Sequence, residues 1–332
     1  MSMPRRQLLK LGMGLCATAL AGHSHAAALV WRERAMLGFG TTLWIRAGHS
    51  NTAQLDEALD AAVQALRNIE TEMSLFNPDS AVSRLNATGI LHKPSRHLRS
   101  VLAWSALVAR RSGGAFDISM QPLWTVWAQA HQQKHLPSAK SVAQAKRLVN
   151  WQAVELSEDT VRLNLSAMGV SLNGIAQGYA ADVVREVLQS HGIQHAQIDA
   201  GETTLLGQAP GGQAWTLGVE DVALVKHPSK APVLQADGRA VATSSDAHTV
   251  FTADHVHHHI LNPHTGYSPV HWASVTVLAP CCVLADALTK VFFMQSPQHL
   301  QATAKAWGVD VLAQRKSGEW VATAGVPLLQ SV

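Results

Sequence analysis

The stretch VSLNGIAQGYAADVVREVLQSHG (170–192) carries more local information than any other part of the chain. It reads as a strand, a glycine-containing turn at Asn173-Gly174, and a helix over about 175–190. Backbone N–H groups at a helix start suit a phosphate, and glycines let a ligand approach closely. The commoner meaning of such a pattern is a turn without a ligand. A strand over 194–198 follows, ending in Asp199-Ala200-Gly201.

Outward from this centre, helices and strands mix without strict alternation. Toward the N-terminus the sequence predicts a hairpin over 151–156 and 161–165, and helices over 96–111 and 138–149. Before these come a loop at Asn77-Pro78-Asp79-Ser80 and a strand over 34–46. Asn51-Thr52 can cap a long helix to about Glu72, with Leu55, Leu59, Val63, Leu66 and Ile69 on its apolar face. Toward the C-terminus, strands are expected over 215–219, 239–243, 257–261 and 273–278. ADALTKVFF (285–293) opens a helix, 298–307 forms another, and short strands over 309–312 and 320–322 close the chain. The fold class is α+β, with mixed sheets and packed helices.

The chain has 332 residues, is 47% hydrophobic and 15% charged, and is therefore globular rather than disordered. Residues 4–22 read PRRQLLKLGMGLCATALAG, and Ser24-His25-Ala26 follow. An arginine pair, a short apolar run and small residues at a cleavage position describe an export signal of twin-arginine type over 1–26. The run is too short for a permanent membrane span. Leu15 precedes Cys16 where a lipoprotein signal needs a small residue, so no lipid anchor is expected. The mature domain is then 27–332, periplasmic, with peripheral or no membrane contact. Removing Arg5, Arg6 and Lys10 with the signal cancels the formal charge of +3. A near-neutral protein has no electrostatic footprint for nucleic acid. Cys281 and Cys282 are adjacent and could bridge each other only with strain, so no structural disulfide is expected.

Four further stretches could hold chemistry. IDAGETTLLG (198–207) ends a strand in small residues, a frequent ligand position and equally a plain hairpin connection. VATSSDAHTVF (241–251) places Thr243, Ser244, Ser245 and Asp246 after a strand, where hydroxyls bind phosphate or cap a turn. In HVHHHILNPHTG (255–266), strand alternation would put His255, His257 and His259 on one face, a possible transition-metal site, and His259 could separately accept a proton. In ADALTKVFF, Asp286 either caps a helix or holds a cation, and Lys290 stands one helical turn on.

Taken in order, MSLFNPDSAVSRLN (73–86), GGAFDISMQPLW (113–124), LNGIAQGYAADVV, IDAGE, VATSSD, HHILNPHTG and ADALTKVFF resemble the ApbE family of FAD:protein FMN transferases, over about 35–321. The resemblance implies an α+β fold with FAD in a central cleft. It implies use of Mg²⁺ and transfer of FMN onto a threonine or serine hydroxyl of an exported redox protein, with AMP leaving. By position, Asp286 and the Ala176 carbonyl match the metal ligands, and His259 matches the histidine beside the reacting phosphate. Gly178, Ala200, Gly201, Thr243, Ser244 and Thr265 match cofactor-lining positions. The chain departs from the family at Lys290 (threonine there), Gln177 (lysine), Glu202 (glycine), Asn262 (aspartate) and Ser245 (glycine). An ammonium cannot ligate Mg²⁺, so Lys290 is expected to pair with Asp286 or to stand in for the ion against the pyrophosphate. Three other readings stay open: a flavin-binding relative without transfer, a hydrolase splitting FAD to FMN and AMP, and an exported metal-binding protein using the histidines.

Overall fold

The computed structural model describes residues 28–223 and 231–329, so the export signal expected over 1–26 lies outside the described residues. The described chain begins with a hairpin where the sequence predicted one strand. β1 (Val30–Gly38) and β2 (Thr41–His49) pair antiparallel from Val30 opposite His49 to Gly38 opposite Thr41. Phe39 and Gly40 make the two-residue turn with φ of 51° and 79°, the positive pair that a tight hairpin turn requires. Strand-forming residues on both arms hid that turn.

α1 (Thr52–Met73) follows its expected course. Asn51 caps it, its Oδ1 accepting from the N–H groups of Ala53 and Gln54, and Leu55, Leu59, Leu66 and Ile69 are buried. Then come α2 (Ala81–Thr88), β3 (Ile90–His92), α3 (Arg96–Arg111), α4 (Gln121–Gln132), α5 (Ala139–Lys146), β4 (Val154–Leu156) and β5 (Thr160–Leu163). Strands β3, β5 and β4 form a small antiparallel sheet. α2 and α4 were not anticipated; α4 carries Pro122 in its first turn, where the missing N–H costs nothing.

No strand forms at 170–172. Asn86 takes the place of a neighbouring strand: its Nδ2 donates to the Val170 carbonyl at 2.8 Å and its Oδ1 accepts from the Val170 N–H at 2.7 Å. The Ser171 N–H donates to the Ile118 carbonyl at 2.7 Å. The segment's partners come from a helix side chain and from the short 3₁₀ turn Ile118–Met120.

The remaining elements are α6 (Ala176–Ser190), β6 (His195–Asp199), β7 (Thr203–Leu206), β8 (Thr216–Gly218), β9 (Val233–Gln235), β10 (Ala240–Ser245), β11 (Trp272–Ala279), α7 (Cys282–Phe293), α8 (Leu300–Trp307), β12 (Asp310–Arg315) and β13 (Trp320–Ala322). Eight strands make one antiparallel sheet in the order β1-β2-β6-β7-β10-β11-β12-β13. β11 is buried at every position. α1 packs on α6, α6 on α7, and α7 on β10 and β11. This α+β arrangement matches the expected class.

Two local expectations fail here, for reasons of long-range contact. The 257–261 stretch is a loop, joined to its neighbours by an isolated bridge between Val250 and His258. His255 has φ of 55°, so alternation is lost and the histidines diverge. His255 Nδ1 lies 3.3 Å from the Asp246 carboxylate, the His257 ring packs at a tilt against Trp127 with centroids 4.8 Å apart, and His259 turns to the Thr249 carbonyl. Among the described residues, no group of three or more His, Cys, Asp or Glu side chains is placed to hold a metal. Second, α7 begins at Cys282, so Asp286 lies inside the helix and does not cap it. Asp182 on α6 does, its carboxylate accepting from the N–H groups of Cys282 and Val283, both at 2.8 Å. Cys281 and Cys282 are free thiols.

Candidate functional site

A cleft of about 870 Å³ opens where β6 and β10 end and α7 passes behind them. Gly201 and Glu202 lie just beyond β6, Thr243–Ser245 close β10, and Lys290 enters from α7. The 248–263 loop contributes His248, Thr249 and His259. Phe76, Phe116 and Trp124 supply aromatic surface, with Phe76 and Trp124 exposed. Polar and charged side chains, among them Asp117, Asp199, Gln177 and Asn173, share the lining with these apolar surfaces, as a site for a polar small molecule requires.

The back wall is an ordered polar seam between α6 and α7. Asp286 is fully buried. Its Oδ2 accepts from the Gly178 N–H at 3.1 Å and its Oδ1 from Lys290 Nζ at 2.5 Å. A Cβ at Gly178 would lie 2.4 Å from the Cys282 carbonyl oxygen and 2.7 Å from Asp286 Cβ, so only glycine lets the helices approach this closely. Thr289 donates from Oγ1 to the Asp286 carbonyl at 2.7 Å, and Ser244 Oγ meets Thr289 Oγ1 at 2.7 Å. Strand β10 is thereby tied to α7.

Glu202 is buried, and its Oε2 accepts from the Thr243 N–H at 2.9 Å. Burial first, and then the charge of Asp286, hold its carboxyl well above the usual carboxylate range; Lys290 and the Thr243 N–H act the other way. Glu202 therefore adds less negative charge to the cleft than its sequence position implied. The Gln177 side chain lies against Gly201, whose φ is 95° and where a Cβ would fall 2.1 Å from Gln177 Nε2.

His259 faces the cleft with a defined tautomer. Its Nδ1 donates to the Thr249 carbonyl at 3.2 Å, which leaves Nε2 as an acceptor. Burial pushes its pKa down to about 4, and the charge of Lys290 acts in the same direction. The imidazole is neutral at physiological pH and able to take a proton.

Of the residues singled out in the sequence, Gly201, Thr243, Ser244, His259 and Lys290 come together at the cleft. Asp286 stands behind Lys290. Ala176 opens α6, buried, with its N–H on the Leu172 carbonyl, and Gly178 serves the helix seam. Ala200 is buried beside Gly201. Thr265 is exposed in a turn, its Oγ1 accepting from the Tyr267 N–H at 3.2 Å, and does not line the cleft. Asp246 pairs with Lys316 and His255 instead of the cleft. The aromatic lining and His248 carried no recognisable local pattern.

This cleft and seam define a small-molecule site on an antiparallel α+β scaffold. The ApbE family model matches residues 39–313, and the chain belongs to that family. It is 27% identical over 255 residues to the FAD:protein FMN transferase of Vibrio cholerae, covering 74% of this chain and 76% of that one. It is 27% identical over 330 residues to the FAD:protein FMN transferase of Treponema pallidum, covering 91% and 90%. The crystal structure of the ApbE protein from Thermotoga maritima is similar with a TM-score of 0.79 at 23% identity, over 89% of this chain and 97% of that one. That likeness establishes the shared fold.

Proposed function

We propose that this chain is an FAD:protein FMN transferase, exported by the segment 1–26 and acting in the periplasm on an exported redox protein. Family membership and the named relatives support the reaction class. The observation that carries it is the cleft itself, with a neutral acceptor nitrogen on His259 and the ammonium of Lys290 on its wall.

The chemistry follows from these groups. A threonine or serine hydroxyl of the acceptor protein attacks the phosphorus of the FMN half of FAD. Its proton goes to His259 Nε2 as the new O–P bond forms. The P–O bond to the AMP half breaks, and AMP leaves with the bonding pair. From the cleft wall Lys290 offsets negative charge on the pyrophosphate oxygens.

The test uses the chain from Ala27 onward, incubated with FAD and an acceptor domain carrying a flavinylation threonine. A fluorescent acceptor band in a denaturing gel is expected. Bound flavin without a band, while a family member labels the same acceptor, would leave a flavin-binding protein. AMP release without acceptor would instead identify a hydrolase.

A further inference from the structure

Asp286, the side chain expected to hold Mg²⁺, is not free to take a divalent ion in this chain. Mg²⁺ needs near-octahedral oxygen donors with free lone pairs facing it. Both carboxylate oxygens of Asp286 are already engaged, Oδ1 by Lys290 Nζ at 2.5 Å and Oδ2 by the Gly178 N–H at 3.1 Å. The Asp286 carbonyl accepts from Thr289 Oγ1 at 2.7 Å and from Lys290 Nζ at 3.3 Å. The other carboxylates of the cleft also accept from backbone N–H groups: Glu202 from Thr243 at 2.9 Å, Asp199 from Gly201 at 3.0 Å, and Asp117 from Ser119 at 2.8 Å and Trp151 at 3.0 Å.

The surroundings fit the ammonium instead. Lys290 is 21% exposed, with its stem covered and its side chain on the cleft wall. Gly174 gives the stem room: a Cβ there would lie 3.1 Å from Lys290 Cε. The ammonium bonds back to its own helix one turn earlier, so its position is set by packing before any ligand arrives.

We infer that Lys290 is the resident cation of this site: its tethered ammonium occupies the place of the divalent ion, and the cleft binds a pyrophosphate-bearing ligand without metal. The ligand's identity rests on the flavin-transferase reading; the claim about the cation stands on Asp286 and Lys290 alone.

Two measurements test it separately. Mn²⁺ serves as the spectroscopic probe in place of Mg²⁺. By electron paramagnetic resonance, the wild-type chain is expected to leave Mn²⁺ free, whereas Lys290→Thr, which unblocks Asp286, binds it. Mn²⁺ binding by the wild type that Asp286→Asn abolishes would overturn the inference. FAD titration is the second measurement. Wild-type affinity is expected to be the same in EDTA and in Mg²⁺, while Lys290→Thr weakens by about ten-fold or more in EDTA and recovers with Mg²⁺. Collapse of wild-type FAD binding in EDTA with rescue by Mg²⁺ would overturn it. Lys290→Gln keeps a donor to Asp286 without the charge and guards against a folding defect. It should lose FAD affinity with its circular dichroism unchanged; equal affinity to wild type in EDTA would count against the ammonium. If no variant binds FAD in any condition, the flavin-transferase reading fails, and the Mn²⁺ result still decides the cation.

Discussion

Two polar regions flank the cleft and are built on opposite terms. The seam between α6 and α7 joins Asp182, Asp286, Thr289 and Lys290, each hydrogen-bonded to backbone or to a partner side chain. The histidine loop leaves Nδ1 of His257 and of His258 buried without a protein partner. Burial is the main cause of low pKa values there, about 3 for His258 and about 4 for His259. Both regions remove polar groups from water. The seam compensates with backbone N–H donors and the Asp286–Lys290 ion pair, and the loop by keeping its bases neutral. A seam of this kind sets a fixed charge pattern, whereas a neutral imidazole remains free to accept a proton.

Breaking the seam should have the largest effect on stability. Asp286→Ala strands the Lys290 ammonium and the Gly178 N–H, and a loss of about 3–5 kcal/mol is expected in urea unfolding. In the loop, His259→Ala should lower the FMN transfer rate by about 10²–10⁴-fold in a gel-fluorescence time course, with far less effect on unfolding. If the two variants show the same pattern, the contrast between the regions is wrong.

The pH dependence sharpens the comparison. His258 and His259 have folded pKa values below their ordinary value of about 6.5, so the unfolded chain binds more protons in the window between. Their contribution to stability is complete above about pH 6.5 and is lost as pH falls through about 4 and 3. The slope should approach about 1.4 kcal/mol per pH unit per histidine, measured by denaturation midpoints across pH, and His258→Asn should flatten it. Next, Gly178→Ala pushes a methyl group into the Cys282 carbonyl and should cost about 1–3 kcal/mol in thermal unfolding. Smallest, Asp182→Ala removes the borrowed cap of α7 and should cost about 1 kcal/mol, with Asn restoring part of it.

Much of the scaffold and part of the site were legible beforehand. The Asn51 cap and the apolar spacing after it located α1, and the Asp286–Lys290 spacing announced a same-face pair. These are local patterns, written within one or a few turns of a helix. The strand-like residues at 170–172 and 257–261 misled because propensity does not say who supplies the hydrogen bonds. The first segment is held by Asn86, 84 residues earlier in the chain, and the second by a bridge to Val250 and by the Ser268 hydroxyl.

By itself, the sequence determined the fold class, the family and the one-turn distance between an aspartate and a lysine. Only the tertiary structure decided that Asp286 sits inside α7 and not at its start, because the capping carboxylate comes from Asp182 on another helix. It also decided that both oxygens of Asp286 are engaged and that the neighbouring histidines part company. Those outcomes depend on donors and acceptors about a hundred residues apart, such as the Gly178 N–H on Asp286, and on burial that no local window of residues records.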